Sequence, residues 1–245
     1  MKQKVRKLKL LARLWLRKHK MLLIASALVS VAMIGYVSFM VDRKVTDRMV
    51  EKRTMPIEYL VVHYTANLSD GADAYANARY LQRTRRAGTH YCIDDIEVIE
   101  CTEEQNVAYA VGDRRWRGWT PKPWLDGRVF NNNSMSFEMC LGGDRNDSII
   151  EDKTAQLVGW HLVNKGLDMS RVIRHHDVTG KHCPKFGYDM SDWNQAYEDS
   201  CFVAFKSKVS MYYQYQQERK RLYKERGIWV DSLQVGQSTL NFNVE

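Results

Sequence analysis

The stretch IEYLVVH, residues 57–63, decides the fold. It is a short apolar run rich in β-branched residues, and it ends in a histidine. A continuous apolar run of this length reads as a buried strand, because a half-exposed strand would alternate. A second run with the same ending, RVIRH at residues 171–175, lies far downstream. Between and beyond the two, helical and extended patterns follow one another. Residues 70–86 read as a helix, with Ala74, Ala78 and Leu81 on one stripe and Gly88 ending it. HYCIDDIEVIEC, residues 90–101, reads as two strands about a turn at Asp94-Asp95, and SMSFEMCL, residues 134–141, as another strand. Residues 153–165 are helical and capped by Gly166, and residues 192–226 read as one helix or two. Residues 112–133, rich in Gly, Pro, Asn, Trp and Arg, read as a long surface loop. This order predicts a single α/β domain at residues 57–210, with a mixed central β-sheet flanked by helices, and a C-terminal extension at 211–245. His63 and His175 would stand at strand ends, where such domains build their sites.

The formal net charge of +8 is not spread over the chain. Residues 1–20 carry nine Lys/Arg and no acid, and 37 less 9 leaves 28 basic against 29 acidic residues elsewhere. The near-neutral remainder excludes a nucleic-acid groove as the source of the basicity. After the basic run comes MLLIASALVSVAMIGYVSFM, residues 21–40, uncharged for twenty residues. That length lets a helix cross a hydrocarbon core of ~30 Å. We therefore expect a basic cytoplasmic N-terminus at 1–20, a transmembrane helix at 21–40 and a charged juxtamembrane linker at 41–56. Lys/Arg are denser before the span than after it, which keeps the N-terminus inside and sends the rest to a periplasm or cell wall. The alternative is release, by signal cleavage or from the anchor.

RHHDVTGKHCP, residues 174–184, gathers three histidines, an aspartate, a lysine and a cysteine. A catalytic zinc takes three protein ligands and leaves one position open. His175 and Cys183 flank a loop that bends at Gly180, and His63 is the best-placed third ligand. Spacing alone leaves this open against ordinary core or surface histidines, since neither HExxH nor paired CxxC is present.

The same residues supply a resemblance. HxDxxGKxCP at 175–184 is similar to the C-terminal zinc motif of N-acetylmuramoyl-L-alanine amidases, the group with phage amidase-type lysozymes, amidase endolysins and peptidoglycan recognition proteins. VVHYTA at 61–66 resembles the family's first zinc-histidine strand, GTHYCIDDIEVIECTEEQNVAYAVGD at 88–113 its hairpin, and NSMSFEM at 133–139 its acidic strand. The resemblance implies one Zn2+ per chain on His63, His175 and Cys183, with His176 and His182 as bystanders. It implies Glu138 as the residue assisting the attacking water and Lys181 as a lysine facing the reaction centre. It implies peptidoglycan or a muropeptide as substrate, cut between N-acetylmuramic acid and L-alanine. The alternative is a peptidoglycan-binding module without activity. Where some phage members carry tyrosine, this chain has Thr89, which shifts weight to Glu138.

Further expectations concern the surroundings. Asp177 either fixes a ligating imidazole from behind or caps the loop. His90 and Tyr91, with Trp116 and Trp119 of the aromatic loop, are candidate substrate contacts, aromatic faces suiting sugar rings and Arg suiting carboxylates. Cys92, Cys101, Cys140 and Cys201 lack the spacings of a disulfide framework and read as free thiols.

Overall fold

The structure, a computed structural model, describes residues 42–44, 51–84, 87–112, 122, 124–125, 127–186, 193–227, 232–235 and 238–241. The expected transmembrane span at 21–40 lies outside the described residues. Among the described residues, no helix is long and apolar enough to cross a membrane.

The strands are β1 (Arg43–Lys44), β2 (Glu51–Lys52), β3 (Tyr59–Tyr64), β4 (Tyr91–Ile93), β5 (Val98–Glu100), β6 (Asn106–Val107), β7 (Ser134–Met139), β8 (Val172–Arg174), β9 (Ser232–Val235) and β10 (Ser238–Asn241). The helices are α1 (Ala74–Thr84), α2 (Asp147–Lys165), α3 (His175–Thr179) and α4 (Gln195–Arg226). Six strands form one sheet in the order β1-β5-β4-β7-β3-β8. β3 runs parallel to both β7 and β8, β4 parallel to β7, and only β4 and β5 pair antiparallel within it. The sheet is mixed, as the alternating patterns require.

Helices cover both faces, and strand alternation decides which side chain meets which helix. On β4, Cys92 packs with Ala74 and Ala78 of α1, while its neighbour Tyr91 points the other way, to His161 of α2. Leu60, Val61 and Val62 of β3 are wholly buried, which is why the stretch reads as a continuous apolar run. Burying each such side chain contributes about 1.5–3 kcal/mol. α2 and α4 pack so closely that a Cβ on Gly159 would stand 3.0 Å from Tyr212 Cβ and from the Tyr213 nitrogen.

Three boundaries differ from the sequence reading. α2 starts at Asp147 rather than 153, because Asn146 caps it by accepting from the Ile149 N–H. Residues 195–226 form one unbroken helix, with Tyr212, Tyr215, Gln216 and Arg219 buried. The expected end of the domain at 210 falls inside this helix. The expected linker 41–56 is in part tied to the sheet: β1 pairs with β5, β2 pairs with β6, and Lys44 bridges Glu100 at 2.6 Å. Arg53 donates to the carbonyls of Glu104 (2.9 Å), Asn106 (3.1 Å), Ser134 (2.9 Å) and Asn132. A guanidinium can gather that many carbonyls because it carries five N–H donors in one plane. Charged residues without periodicity gave no sign of this.

Candidate active site

Register builds the site. Cys92 of β4 lies opposite Glu138 of β7, and Glu138 opposite His63 of β3. On the far side of β3, Val62 pairs with Arg174 of β8, so the next rung sets His63 beside His175. Glu138 and His63 therefore share a rung at the C-terminal ends of two parallel strands, and His175 follows directly on the end of the third, β8. The chain then turns through α3, which closes at Gly180 in the left-handed region (φ 77°), where a missing Cβ removes the usual penalty. The return brings Cys183 back beside His175: the His176 N–H donates to the Cys183 carbonyl at 2.7 Å.

The donor atoms converge. His63 Nδ1 lies 3.0 Å from His175 Nδ1 and 3.8 Å from Cys183 Sγ, and all three ligand atoms lie within 4.8 Å of one another. A tetrahedral ion with bonds of about 2.05 Å to nitrogen and 2.3 Å to sulfur separates its ligand atoms by roughly 3.3–3.6 Å, so the spacing fits a single metal ion. All three residues are buried. Burial, and then the neighbouring His175 and Lys181, hold the His63 imidazole well below its usual pKa, and burial pushes His175 down to about 3. Both rings are neutral at physiological pH, the form that ligates. Burial, and then Glu138, push the Cys183 thiol up to about 12, so a thiolate there calls for a cation. Two imidazoles and a thiol form a donor set suited to zinc.

Glu138 Oε1 lies 3.9 Å from His63 Nδ1, and its Oε2 has no hydrogen-bond partner among the described residues. Burial raises its pKa to about 7, against the pull of Lys181. A cavity of about 410 Å³ opens over this carboxylate, and Tyr64, Asn77, Tyr80, Lys181 and His182 also line it. Sequence reasoning missed Tyr64, Asn77 and Tyr80.

The other expected site residues fall elsewhere. His90 is buried between strands: its Nδ1 accepts from the Ser136 N–H (3.1 Å), and its Nε2 faces Arg53 and the Asn106 carbonyl. Tyr91 is buried against Phe137 and His161. Neither reaches the cavity, because HYC belongs to the sheet interior. Trp116 and Trp119 lie outside the described residues. Trp124 is exposed, with Lys122 Nζ 5.6 Å from its ring centre. Asp177 does not meet a ligating imidazole. It accepts from the Arg174 N–H and Nη2, both at 2.9 Å, and pairs with Lys122 at 3.0 Å, so it caps and clamps the loop. Arg174 also reaches Asp199 of α4 at 2.6 Å. His176 and His182 both pack on Trp193, at 4.8 Å and 4.7 Å between ring centres, and neither belongs to the ligand cluster. Thr89 is buried, its hydroxyl donating to the Ser136 carbonyl. All five cysteines are free.

The family model described as N-acetylmuramoyl-L-alanine amidase matches residues 53–186. The amidase BlyA of Bacillus subtilis (strain 168) is 31% identical over 173 residues, 65% of this chain and 44% of BlyA. CwlL of Bacillus licheniformis, also an N-acetylmuramoyl-L-alanine amidase, is 33% identical over 140 residues, 52% of this chain and 36% of its own length. The chain thus spans less than half the length of these relatives. Among solved structures, the catalytic domain of XlyA superposes with a TM-score of 0.51 at 23% identity, covering 68% of this chain and 98% of that one. That likeness speaks for the fold. With a matched segment that runs from the clamp at Arg53 through both histidine strands to the cysteine loop, the chain belongs to the N-acetylmuramoyl-L-alanine amidase family.

Proposed function

We propose that this protein is a zinc-dependent amidase that hydrolyses the bond between the lactyl group of N-acetylmuramic acid and L-alanine in peptidoglycan. One observation carries the reading: a buried His63–His175–Cys183 donor cluster stands beside an unpartnered Glu138 carboxylate at an open cavity. Zinc, when bound, lowers the pKa of water from 15.7 toward ~7 and polarises the scissile carbonyl. His63, His175 and Cys183 would hold it. Glu138, its pKa near neutrality, takes the proton of the attacking water and passes it to the leaving alanine amine. Lys181, on the cavity wall, sets positive charge against the developing oxyanion, a contribution of about 10²–10³ in rate in comparable sites. The relatives named above are amidases, and the ligand and acid positions fall within the matched segment.

The test is digestion of purified sacculi by zinc-loaded protein beside Glu138→Ala and Cys183→Ser. We expect stem peptides to be released by the wild type alone, and not after chelation. Tight sacculus binding without release would instead identify a peptidoglycan-binding module.

We further propose that residues 21–40 anchor the protein in the cytoplasmic membrane, N-terminus inside and catalytic domain in the periplasm or wall. The uncharged twenty-residue stretch behind nine basic residues supports this. Membrane fractionation with protease protection tests it: protein recovered wholly in the soluble fraction would refute the anchor and favour release.

A further inference from the structure

The cavity above Glu138 is lined by residues 64–67 and by two unlike walls. One is α1. Its Ala74 and Ala78 face the sheet and are buried, and Asn77, Tyr80 and Leu81, at i, i+3 and i+4, line the cavity. This wall carries no charge among its described lining residues. The other wall is the returning loop, where Lys181 and His182 line the same space. Tyr80 is the anomaly on the first wall. Tyr80 is 66% exposed, the most open of the described large aromatic residues, and it lines a cavity large enough for a sugar ring. An aromatic ring so placed offers a flat apolar face to a ligand and gains from being covered.

The two halves of the substrate differ in the same way as the two walls. An amide-linked N-acetylmuramoyl group is neutral and presents a ring with an apolar face. The peptide stem ends in a carboxylate and is anionic. We propose that Tyr80 is the platform for the muramoyl ring, so that the α1 wall takes the sugar and the Lys181–His182 wall takes the peptide. The polarity of the cavity thereby sets the direction in which the scissile amide lies across Glu138. This inference rests on the amidase reading of the site.

The test uses two soluble substrates with one peptide stem: an N-acetylmuramoyl-peptide, and a lactoyl-peptide with the same amide but no sugar ring. kcat/KM is measured on zinc-loaded full-length protein, wild type beside Tyr80→Ala and Tyr80→Phe. We expect Tyr80→Ala to lose about tenfold on the muramoyl substrate, the worth of one aromatic contact, with the lactoyl-peptide unaffected and Tyr80→Phe close to wild type. Inhibition by free N-acetylmuramic acid, a readout that needs no turnover of a sugar substrate, should weaken in Tyr80→Ala alone. Equal losses on both substrates, or none on either, would overturn the platform while leaving the amidase standing. A wild type that digests sacculi but cleaves neither soluble substrate overturns the platform alone, and one that digests nothing overturns the amidase reading with it.

Discussion

Asp177→Asn is the substitution that most sharply separates a clamp from a bystander. Asp177 is 1% exposed and Arg174 2%, and the carboxylate accepts from both the backbone N–H and Nη2 of Arg174 at 2.9 Å. Asparagine keeps the shape and removes the charge. Breaking a buried ion pair costs about 3–5 kcal/mol, because the surviving charge is left without its partner. Arg174 keeps Asp199 at 2.6 Å, but that carboxylate is half exposed and screened by water, so we place the loss at about 2–3 kcal/mol. In a domain of this size that lowers the melting temperature by roughly 4–12 °C. The assay is urea and thermal unfolding of wild type, Asp177→Asn, Arg174→Met and the double variant, each with and without zinc. The double variant should be more stable than the sum of the single losses allows, by about 1–3 kcal/mol, since removing both charges leaves none stranded. Zinc retention should fall with Asp177→Asn, because the clamp holds the segment between His175 and Cys183. Strict additivity, or a single loss below about 0.5 kcal/mol, would refute the clamp.

Other perturbations follow from the same geometry. His63→Ala should abolish zinc binding, measured by metal analysis after dialysis, whereas His182→Ala should leave one zinc per chain, its ring lying on Trp193 rather than among the ligands. Gly159→Ala should destabilise the fold by about 1–3 kcal/mol in urea titration, because the new methyl would press on Tyr212 and the backbone of Tyr213. Arg53→Met should cost about 2–4 kcal/mol by leaving the carbonyls of Asn106 and Ser134 without their donor, and an effect below about 1 kcal/mol in urea titration would show that these bonds do not hold the domain together. Acidifying the zinc-loaded protein should release the metal as protons compete for imidazoles and thiolate, visible as zinc freed to an indicator; a metal content independent of pH would contradict the ligand set.

The sequence made the site legible where chemistry and periodicity coincide. The run ending at His63 is apolar because β3 is buried on both faces, and the same burial makes its terminal histidine a ligand candidate. The loop from His175 to Cys183 was legible through its glycine and its donor types, and the resemblance placed Glu138. Asp177 was left between two roles, and geometry chose the cap. His90 and Tyr91 misled because a histidine beside a tyrosine carries no mark of which face of a sheet it occupies; only the pairing of β4 with β7 turns Tyr91 toward α2. Arg53 was illegible for a different reason. Its partners are main-chain carbonyls from Glu104 to Ser134, and carbonyls leave no trace in side-chain pattern. Tyr80 needed the cavity to be seen at all.

The central claim is that water, assisted by Glu138 at a zinc held by His63, His175 and Cys183, opens the amide between muramic acid and alanine. Mass analysis of the products from a defined N-acetylmuramoyl-L-alanyl peptide in ¹⁸O-labelled water tests it most directly. The account predicts one labelled oxygen in the lactyl carboxylate of N-acetylmuramic acid, and a peptide beginning with a free alanine amine. Label in any other fragment, or cleavage that persists in Glu138→Ala after chelation, would contradict it.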